Sequence, residues 1–448
     1  MTSSPNILIL HTDQQSLWSV SAYNPAGPVQ TPHIDRLAGE GVKFEQFFTN
    51  SAVCTPSRGC FLTGRYPHAH GAFTNNVPLN PDEKTFASVL SAHGYHCGYI
   101  GKWHLDGPRR PGWVNPLRCF GFTDNHYMFN RGHWKTMFEV KGIEDPCVGF
   151  EIGDEQSYTT DWLTNKGIDF IRNHRQDRPF CLMISYPDPH GPYSVRPPYD
   201  TMYSPEDMEI PATFGERNGP SWVRQQQERN LAHDNPEERL KRHRAAYCGE
   251  VKLIDDNIGR ILAFLEEQEI LDDTIVIFTT DHGDYLGEHS LYGKNAMYHS
   301  VYHIPLLIRY PRRLPAGTKV NDIVTTVDFH ATLLELVGLP PSPRHQGSSA
   351  LPAMVSGAEA PSSPQTAWLH HPTHRLAGLI DNTYLFAVSA GGEMLLFDRI
   401  KDPLETNNLV HQSQYQPFIQ DCLRRLYRHH SDVSSPAAAW LDDILQSQ

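Results

Sequence analysis

The chain has 448 residues, of which 39% are hydrophobic and 20% are charged, and its formal net charge is −13 at pH 7. These values are typical of a soluble globular enzyme with one large domain and a smaller appendage. The acidic balance argues against a nucleic-acid-binding protein, although it leaves room for a local basic pocket. No window reaches the roughly 18–20 continuous apolar residues that a membrane span needs.

The N-terminal residues, MTSSPNILILHTDQQ, have no charged segment ahead of their apolar run, which covers only Ile7–Leu10. This pattern predicts a strand rather than a signal peptide, so we expect a cytoplasmic protein. The eight cysteines include no CxxC pair, and without a secretory signal they are expected to be reduced thiols. Cys181 lies in the apolar run FCLMISY and is expected to be a core residue.

Apolar runs alternate with helical patterns through most of the chain. In chain order, the predicted strands are NILILH, YHCGYIG, PFCLMISY, DTIVIFTT and PLLIRY, and the predicted helices are TPHIDRLAGE, TFASVLSAHG, SYTTDWLTNKGIDFIRNH, LIDDNIGRILAFLEEQ and DFHATLLELVGL. The first helix has Thr31 as its N-cap, Pro32 as its first residue and Gly41 as its terminator. Strands that alternate with helices predict an α/β fold, with a large, mostly parallel sheet sandwiched by helices.

The composition changes near residue 340, so we assign residues 1–340 to a catalytic α/β domain. Residues 341–365 form a connector rich in proline, serine and glycine. Residues 366–448 are predicted to form a small antiparallel α+β subdomain, with strands in AWLHH, AGLIDNTYLFAVS and EMLLFDRI and a helix over Tyr415–Tyr427.

The C-terminal tail has an apolar helical face. It can pack on its own core or on a neighbouring subunit, and we favour a homo-oligomer because terminal segments are free to cross between subunits. The face consists of Trp440, Leu441, Ile444 and Leu445.

Polar side chains follow four of the predicted strands, at the carboxyl ends where open α/β sheets bind ligands. Each one alone is a weak signal, because an aspartate at a strand end is more often a helix cap or a turn former. Together they indicate a ligand site. The four groups are Asp13 and Gln14; Lys102, Trp103 and His104; Asp188, Pro189 and His190; and Asp281 and His282, with Lys294 following.

The residue types in these groups suit one kind of chemistry. Carboxylate, amide and imidazole groups are ligands for a hard divalent cation, and Asp13, Gln14, Asp281 and His282 supply them. Lysine and arginine side chains would surround a bound oxyanion, and the candidates are Lys102, Lys294 and Arg58. Such a site suits the transfer of a sulfuryl or phosphoryl group, in which stabilisation of the equatorial oxygens dominates catalysis.

Cys54 stands at the start of another predicted helix, in the stretch AVCTPSRGC. Thr55 is the predicted N-cap and Pro56 the first helical residue, so the helix dipole would favour negative charge at Cys54. A thiolate nucleophile would fit, but the sequence lacks the histidine and asparagine pattern of a cysteine hydrolase. A disulfide with Cys60 would close a small loop within a helix. These residues alone leave the role of Cys54 open.

The stretch CTPSRGCFLTGRYPHAHG resembles the signature of the type I sulfatases, which belong to the alkaline phosphatase superfamily. The second sulfatase signature is similar to GYHCGYIGKWHL, and NILILHTDQQ, GEHSLYGK and FDRIKDPLETNNL also match, so the resemblance covers nearly the whole chain. It implies that a formylglycine-generating enzyme, which recognises Pro56 and Arg58, converts Cys54 to Cα-formylglycine.

The same resemblance implies a role for each site residue. The metal would be bound by Asp13, Gln14, Asp281, His282 and residue 54 itself; Arg58 would anchor formylglycine 54, Lys102 and Lys294 would contact the sulfate, His104 would be the base, and His190 would be the acid. The implied reaction is hydrolysis of a sulfate monoester through a covalent sulfoenzyme hemiacetal.

Two residues depart from the commonest family pattern. Many members have aspartate where this chain has Gln14 and asparagine where it has His282, and the variant pair resembles the branch with choline sulfatases and phosphonate monoester hydrolases. The alternative function is therefore a phosphonate monoester or phosphodiester hydrolase. We expect Ca²⁺ on the hard-ligand argument, with Mn²⁺ or Mg²⁺ left open by the imidazole.

Two further alternatives are weaker. A catalytically dead binding protein is disfavoured by the full set of site residues. A two-zinc phosphatase needs a second ligand group, for which Asp328 and His330 are candidates, although a helix start explains Asp328 better. The segment Gly107–Trp134, rich in arginine, histidine and aromatic residues, is either a pocket wall for a sulfated carbohydrate or aryl sulfate or an ordinary surface insertion.

Overall fold

The computed structural model describes residues 4–113, 118–175, 177–356 and 366–447. Its strands are β1 (Asn6–Thr12), β2 (Val42–Phe44), β3 (Phe47–Phe48), β4 (His96–Lys102), β5 (Met128–Phe129), β6 (Thr136–Phe138), β7 (Cys147–Gly149), β8 (Phe180–Ser185), β9 (Thr274–Thr280), β10 (Leu306–Arg309), β11 (Thr318–Val320), β12 (Val324–Thr325), β13 (Ala367–His371), β14 (Leu376–Ile380), β15 (Tyr384–Ser389) and β16 (Met394–Asp398). Its α-helices are α1 (Pro32–Glu40), α2 (Cys54–Thr63), α3 (Pro67–His70), α4 (Phe86–Ala92), α5 (Thr159–Asn173), α6 (Ser221–Leu231), α7 (Pro236–Glu267), α8 (His299–Tyr302), α9 (Thr326–Leu336), α10 (Leu351–Ser356), α11 (Gln416–Asp432) and α12 (Ala437–Ser447).

The main sheet has eight strands in the order β11-β2-β10-β9-β1-β8-β4-β5. Seven of them run in one direction, and β10 is antiparallel to both of its neighbours. The predicted mostly parallel sheet is therefore confirmed. The central strands β1, β8 and β9 are buried on both faces, which explains why they read as continuous apolar runs rather than as alternating patterns.

Alternate side chains of the central strands enter two separate cores, one on each face of the sheet. In β1, for example, Ile7 and Ile9 enter one core, and Leu8 and Leu10 enter the other. The first core is closed by helices α2, α4 and α9, and the second by α1, α5 and α7. Helices thus cover both faces, as predicted.

Helix boundaries follow the local signals in most places. Helix α1 begins at Pro32 after Thr31 and ends before Gly41. Helix α7 begins at Pro236, ahead of the apolar pattern that starts at Leu253, because its first turns are charged and carry little apolar periodicity. The predicted connector contains α10, and its residues 357–365 lie outside the described part of the chain.

The C-terminal subdomain is an antiparallel meander, β13-β14-β15-β16. One face of this sheet packs on the catalytic domain and the other on α11 and α12. The apolar face of the tail lies in this second interface, where Trp440, Leu441 and Ile444 are buried and Leu445 packs against them. The tail therefore covers its own subdomain, and oligomerisation through it stays a prediction.

Two expectations concern the state of the cysteines and the lack of a membrane-spanning helix. All eight cysteines are free thiols, and Cys54 and Cys60 lie in the same helix without a bond between them. Cys181 is a core residue of β8, as expected. None of the helices in the described residues combines the length and the apolar character needed to cross a lipid bilayer.

Candidate active site

Four parallel strands bring the predicted groups to one edge of the main sheet. Strands β9, β1, β8 and β4 are consecutive neighbours, so the residues after them meet in space. The Asp13 N–H donates to the Asp188 carbonyl over 3.2 Å, which joins the ends of β1 and β8 directly. The clustering that the strand ends predicted is confirmed.

Helix α2 carries Cys54 to the same edge. The helix begins at Cys54 with Val53 as its N-cap, so the prediction of Thr55 as N-cap is wrong by two positions. Thr55 lies in the first turn instead, where its hydroxyl donates to the His104 carbonyl over 2.8 Å. The Ser57 hydroxyl donates to the Asp281 carbonyl over 2.6 Å and fixes this first turn to the end of β9.

Four side chains converge closely enough to share one cation. The ligand atoms of Asp13, Cys54, Asp281 and His282 lie within 4.8 Å of one another, and all four residues are buried. His282 Nδ1 lies 2.9 Å from the Gly283 carbonyl and so carries a proton, which leaves Nε2 facing Cys54 Sγ at 3.2 Å. Burial and Asp13 would raise the pKa of Asp281, but His282 and Arg58 outweigh them and hold it at about 2.

Gln14 completes this donor set, and a residue that the sequence analysis missed orients it. The Gln14 Nε2 group donates to Asp284 Oδ2 over 2.5 Å, and the amide oxygen accepts from Lys294 Nζ over 2.5 Å. Asp284 is itself fixed by the Tyr193 hydroxyl at 2.5 Å. The amide oxygen, which is the atom able to bind a cation, is thereby turned towards the site.

Arg58 lies beneath the carboxylates rather than on the open side. Its guanidinium is 3.0 Å from Asp281 Oδ2 and 3.3 Å from Asp13 Oδ2, and it also donates to the Lys102 carbonyl and to Ser185 Oγ, each over 2.8 Å. Two buried carboxylates need such a partner, since removing it would leave uncompensated charge. The expected contact of Arg58 with formylglycine 54 or with a bound sulfate remains a prediction.

The two predicted sulfate-binding lysines flank the carboxylates. Lys294 Nζ lies 3.1 Å from Cys54 Sγ and 3.1 Å from His190 Nε2. Lys102 forms a buried ion pair with Asp13. Burial would raise the pKa of the Cys54 thiol, but Lys294, helped by Lys102, outweighs this and keeps it well below its usual value. The site therefore favours a negative charge at position 54.

His133, to which the sequence analysis gave no role, also belongs to the site. His133 stacks on His190, with ring centroids 3.7 Å apart and an angle of 5° between the planes. Lys102 Nζ lies 2.8 Å from His133 Nε2. Burial, followed by His133 and Lys294, lowers the pKa of His190 to about 3, so the imidazole is neutral in the free site. No local motif marks His133, which follows Gly132 in a loop.

His104 has the features of an available base. It is buried, and neither ring nitrogen has a hydrogen-bond partner among the described residues. Burial, followed by Lys102 and Arg58, lowers the pKa of His104 well below its ordinary value. The ring is therefore neutral and free to accept a proton.

Three of the other candidates are structural. Asp188 accepts from Lys135 Nζ over 2.7 Å and from the Tyr158 hydroxyl over 2.9 Å, which anchors the loop that leads to His190. Asp328 forms the capping box of α9, as a helix start predicts. His330 accepts from the Ser342 N–H over 3.1 Å and so belongs to the fold rather than to a second metal site.

The segment Gly107–Trp134 serves both the core and the site. Phe122 and Phe129 are buried in the cores, whereas Arg131 and His133 lie beside the site. Residues 114–117 lie outside the described part of the chain. Neither of the two interpretations, pocket wall or surface insertion, covers the whole segment.

The site thus has two layers, which differ in exposure. The buried layer, here called the floor, consists of Asp13, Cys54, Arg58, Lys102, Asp281 and His282. The partly exposed layer, here called the rim, consists of Arg131, His133, His190 and Lys294. A substrate would approach across the rim and react on the floor.

Comparison with known proteins gives a consistent result. The sulfatase family model matches residues 5–339, and that of the C-terminal region of N-sulphoglucosamine sulphohydrolase matches residues 287–432. An N-acetylglucosamine-6-O-sulfatase from Bacteroides thetaiotaomicron is 27% identical over 92% of this chain and 84% of its own length.

Solved structures have the same fold. A structure in complex with its substrate D-glucosamine-2-N,6-O-disulfate has a TM-score of 0.78, is 25% identical and covers 96% of this chain and 98% of its own. The phosphonate monoester hydrolase of Agrobacterium radiobacter has a TM-score of 0.79 at 24% identity and covers 96% of each chain, which is a likeness of fold alone.

Proposed function

As a member of the sulfatase family, this chain is a sulfuric ester hydrolase that acts on sulfated substrates, and we propose that its substrate is a sulfated carbohydrate. We also propose that Cys54, matured to Cα-formylglycine by a formylglycine-generating enzyme, provides the nucleophile. The observation that carries this proposal is the position of Cys54 Sγ, 3.1 Å from Lys294 Nζ and 3.2 Å from His282 Nε2, among the buried carboxylates. A nucleophile at this point would meet a sulfate held by the lysines.

The floor, together with Gln14, fits a divalent cation. Two buried carboxylates, an imidazole nitrogen and an inward-turned amide oxygen form the donor set of Asp13, Gln14, Asp281 and His282. We favour Ca²⁺ because three of these four groups offer oxygen. Mn²⁺ and Mg²⁺ are the alternatives, because the imidazole of His282 offers nitrogen. When bound, the cation would supply positive charge that favours the ionised form of a hydroxyl on residue 54.

The first half of the reaction forms a sulfated hemiacetal. A hydrated formylglycine carries two hydroxyl groups, and one of them attacks sulfur while the bond from sulfur to the sugar oxygen breaks. The attacking hydroxyl gives its proton to water, and the departing alcohol gains one from His190, which then regains a proton from solvent. A bound sulfate would allow His190 to act as the acid, because the negative charge of the sulfate raises the pKa of the His190 imidazole, which is neutral in the free site.

The second half releases the sulfate. His104 takes the proton of the remaining hydroxyl, the carbon–oxygen bond to the sulfated oxygen breaks, and the aldehyde re-forms as sulfate leaves. Water then adds to the aldehyde for the next cycle. The free ring nitrogens of His104 and its link through Thr55 to the turn that carries Cys54 support this assignment.

Mass spectrometry tests the nucleophile. The protein is produced together with a formylglycine-generating enzyme, and the peptide that carries residue 54 is analysed. We expect that peptide to have lost its sulfur, in proportion to the kcat of the preparation on 4-nitrophenyl sulfate. An active preparation whose peptide retains an unmodified thiol would contradict the proposal.

A phosphonate monoester hydrolase is the second candidate, because Gln14 and His282 depart from the commonest sulfatase metal site. Sulfate monoesters and phosphonate monoesters both carry one negative charge, so charge does not separate them. The direct comparison is kcat/KM for 4-nitrophenyl sulfate against 4-nitrophenyl phenylphosphonate. A phosphonate value higher by about 100-fold, or about 2.7 kcal/mol of transition-state preference, would replace the sulfatase proposal with this one.

A further inference from the structure

The loop of residues 107–112 is fastened beside the site. The Asn130 side-chain amide donates to the Gly107 carbonyl over 2.7 Å and to the Arg109 carbonyl over 3.1 Å. The Asn130 carbonyl accepts from the His104 N–H over 2.5 Å, and the Arg131 N–H donates to the Pro111 carbonyl over 3.1 Å. These bonds fix the backbone around Arg110 and Arg131 next to the predicted base.

The bond from the Arg131 N–H to the Pro111 carbonyl sets Arg131 beside the residue that follows Arg110, and Asn130, which precedes Arg131, accepts from the N–H of the predicted base His104. Burial, followed by the charge of Arg110, lowers the pKa of Arg131, and a negative charge at Cys54 raises it. The charge of Arg131 in turn lowers the pKa of His104. Arg131 is half-buried and Arg110 is exposed, so the pair spans the rim from the reaction centre towards solvent.

Neither guanidinium forms an ion pair or a side-chain hydrogen bond with any described residue. The acid closest in sequence, Asp106, is already paired with Arg118. Arg196 and Arg309, by contrast, each have a carboxylate partner. Two like charges on neighbouring segments repel each other, and an anion bound between them would relieve that repulsion.

We propose that Arg110 and Arg131 form a subsite for a second sulfate group of the substrate, distinct from the sulfate that is cleaved. This inference rests on the proposed function. The cleaved group already has Lys102 and Lys294 on either side of the carboxylates. A planar guanidinium suits bidentate contact with a sulfate, and a second anionic group on the same sugar would lie towards the rim. The substrate class is then a multiply sulfated saccharide rather than a simple aryl sulfate.

The test compares two sugars that differ in one charge, D-glucosamine-2-N,6-O-disulfate and N-acetyl-D-glucosamine 6-sulfate. The measured quantity is the ratio of their kcat/KM values. We expect Arg131→Ala to lower this ratio about 10-fold, equivalent to about 1.4 kcal/mol, mainly through KM for the disulfate. Arg110→Ala should lower it about 3-fold, because an exposed contact is screened by solvent. Arg131→Lys, which keeps the charge, should recover part of the loss.

The matched control is Arg312→Ala. Arg312 pairs with Asp273 just before β9 begins, at the opposite edge of the sheet from the site. This change should leave the ratio as in the wild type. If the wild type hydrolyses both sugars and Arg131→Ala does not change their ratio, the subsite is refuted while the proposed function stands. If the wild type hydrolyses neither sugar but does hydrolyse 4-nitrophenyl sulfate, the sugar proposal and the subsite are both overturned.

Discussion

The floor of the site is built by strand ends and one helix start, whereas its rim is built by loops. Each floor carboxylate has a cationic partner, such as Arg58 for Asp281 and Lys102 for Asp13. The rim instead presents groups of like charge or neutral rings, including the stacked pair of His133 and His190. The floor carboxylates are thus paired before a substrate arrives, whereas the rim would gain its anionic partner from the substrate.

This difference predicts that floor substitutions stop the reaction for every substrate, whereas rim substitutions change how well particular substrates react. The largest effect is expected at residue 54. Cys54→Ser should lower kcat by about 10,000-fold or more, because a serine can accept the sulfuryl group but cannot eliminate it. Intact-protein mass spectrometry after incubation with 4-nitrophenyl sulfate should show a stable adduct of one sulfuryl group. Full turnover by this variant would contradict the mechanism.

The next largest effect is expected at Asp13, which is a candidate metal ligand and also pairs with Lys102. Asp13→Asn should lower kcat/KM by about 1,000-fold for all sulfate esters and reduce bound Ca²⁺, measured by elemental analysis after dialysis. Asp272→Asn is the control, since Asp272 is an exposed partner of Arg309 outside the site. Unchanged metal content in Asp13→Asn would remove Asp13 from the ligand set.

A smaller effect is expected at His133, where the rim meets the floor. His133→Ala removes both the stack on His190 and the contact with Lys102, so kcat should fall about 10-fold. His133→Phe keeps a ring over His190 but loses the nitrogen. If the two variants are equally impaired, the nitrogen matters; if His133→Phe is close to the wild type, the stack alone positions His190. A thermal unfolding midpoint within a few degrees of the wild type confirms that the fold is intact.

The smallest effect concerns stability rather than the reaction. His430 is buried beneath the C-terminal sheet, and burial lowers its pKa to about 3. It is neutral in the folded chain and titrates near 6.5 when unfolded, so its contribution is fully present above about pH 6.5 and declines as the pH falls towards 3. Between pH 7.5 and pH 5, the free energy of unfolding measured in urea should therefore fall by about 1–2 kcal/mol less for His430→Asn than for the wild type.

Exposed His233 supplies the control for this measurement. His233→Asn should follow the pH dependence of the wild type. If His430→Asn and the wild type lose the same stability on acidification, His430 does not set the acid limit of the fold.

The two layers also differ in how far the sequence predicts them. Floor residues follow apolar runs that mark strand ends, and parallel strands bring their carboxyl ends together, so the sequence alone is enough to group Asp13, Lys102 and Asp281. Rim residues lie in loops without periodicity. His190 and Lys294 are grouped because they follow strand ends, although the role of His190 as acid comes only from a family resemblance. His133 escapes prediction because nothing local distinguishes it from the other histidines.

The fold shows the same contrast on a larger scale. The alternating strands and helices of the first 340 residues have strong periodic signals, and the sheet they predict is present. The direction of β10 is not predictable, because a short apolar run looks the same in parallel and antiparallel pairing. The surface that the tail covers is likewise not predictable, since an apolar helical face shows that burial occurs but not which surface provides it.

Helix α2 bears on the timing of the proposed maturation. Every residue from Cys54 to Thr63 is buried in the folded chain. If Cys54 is converted to formylglycine as proposed, the modifying enzyme would have to reach it before the domain folds. A chain that folded first would then keep its thiol, and the active fraction of a preparation would record which process was faster.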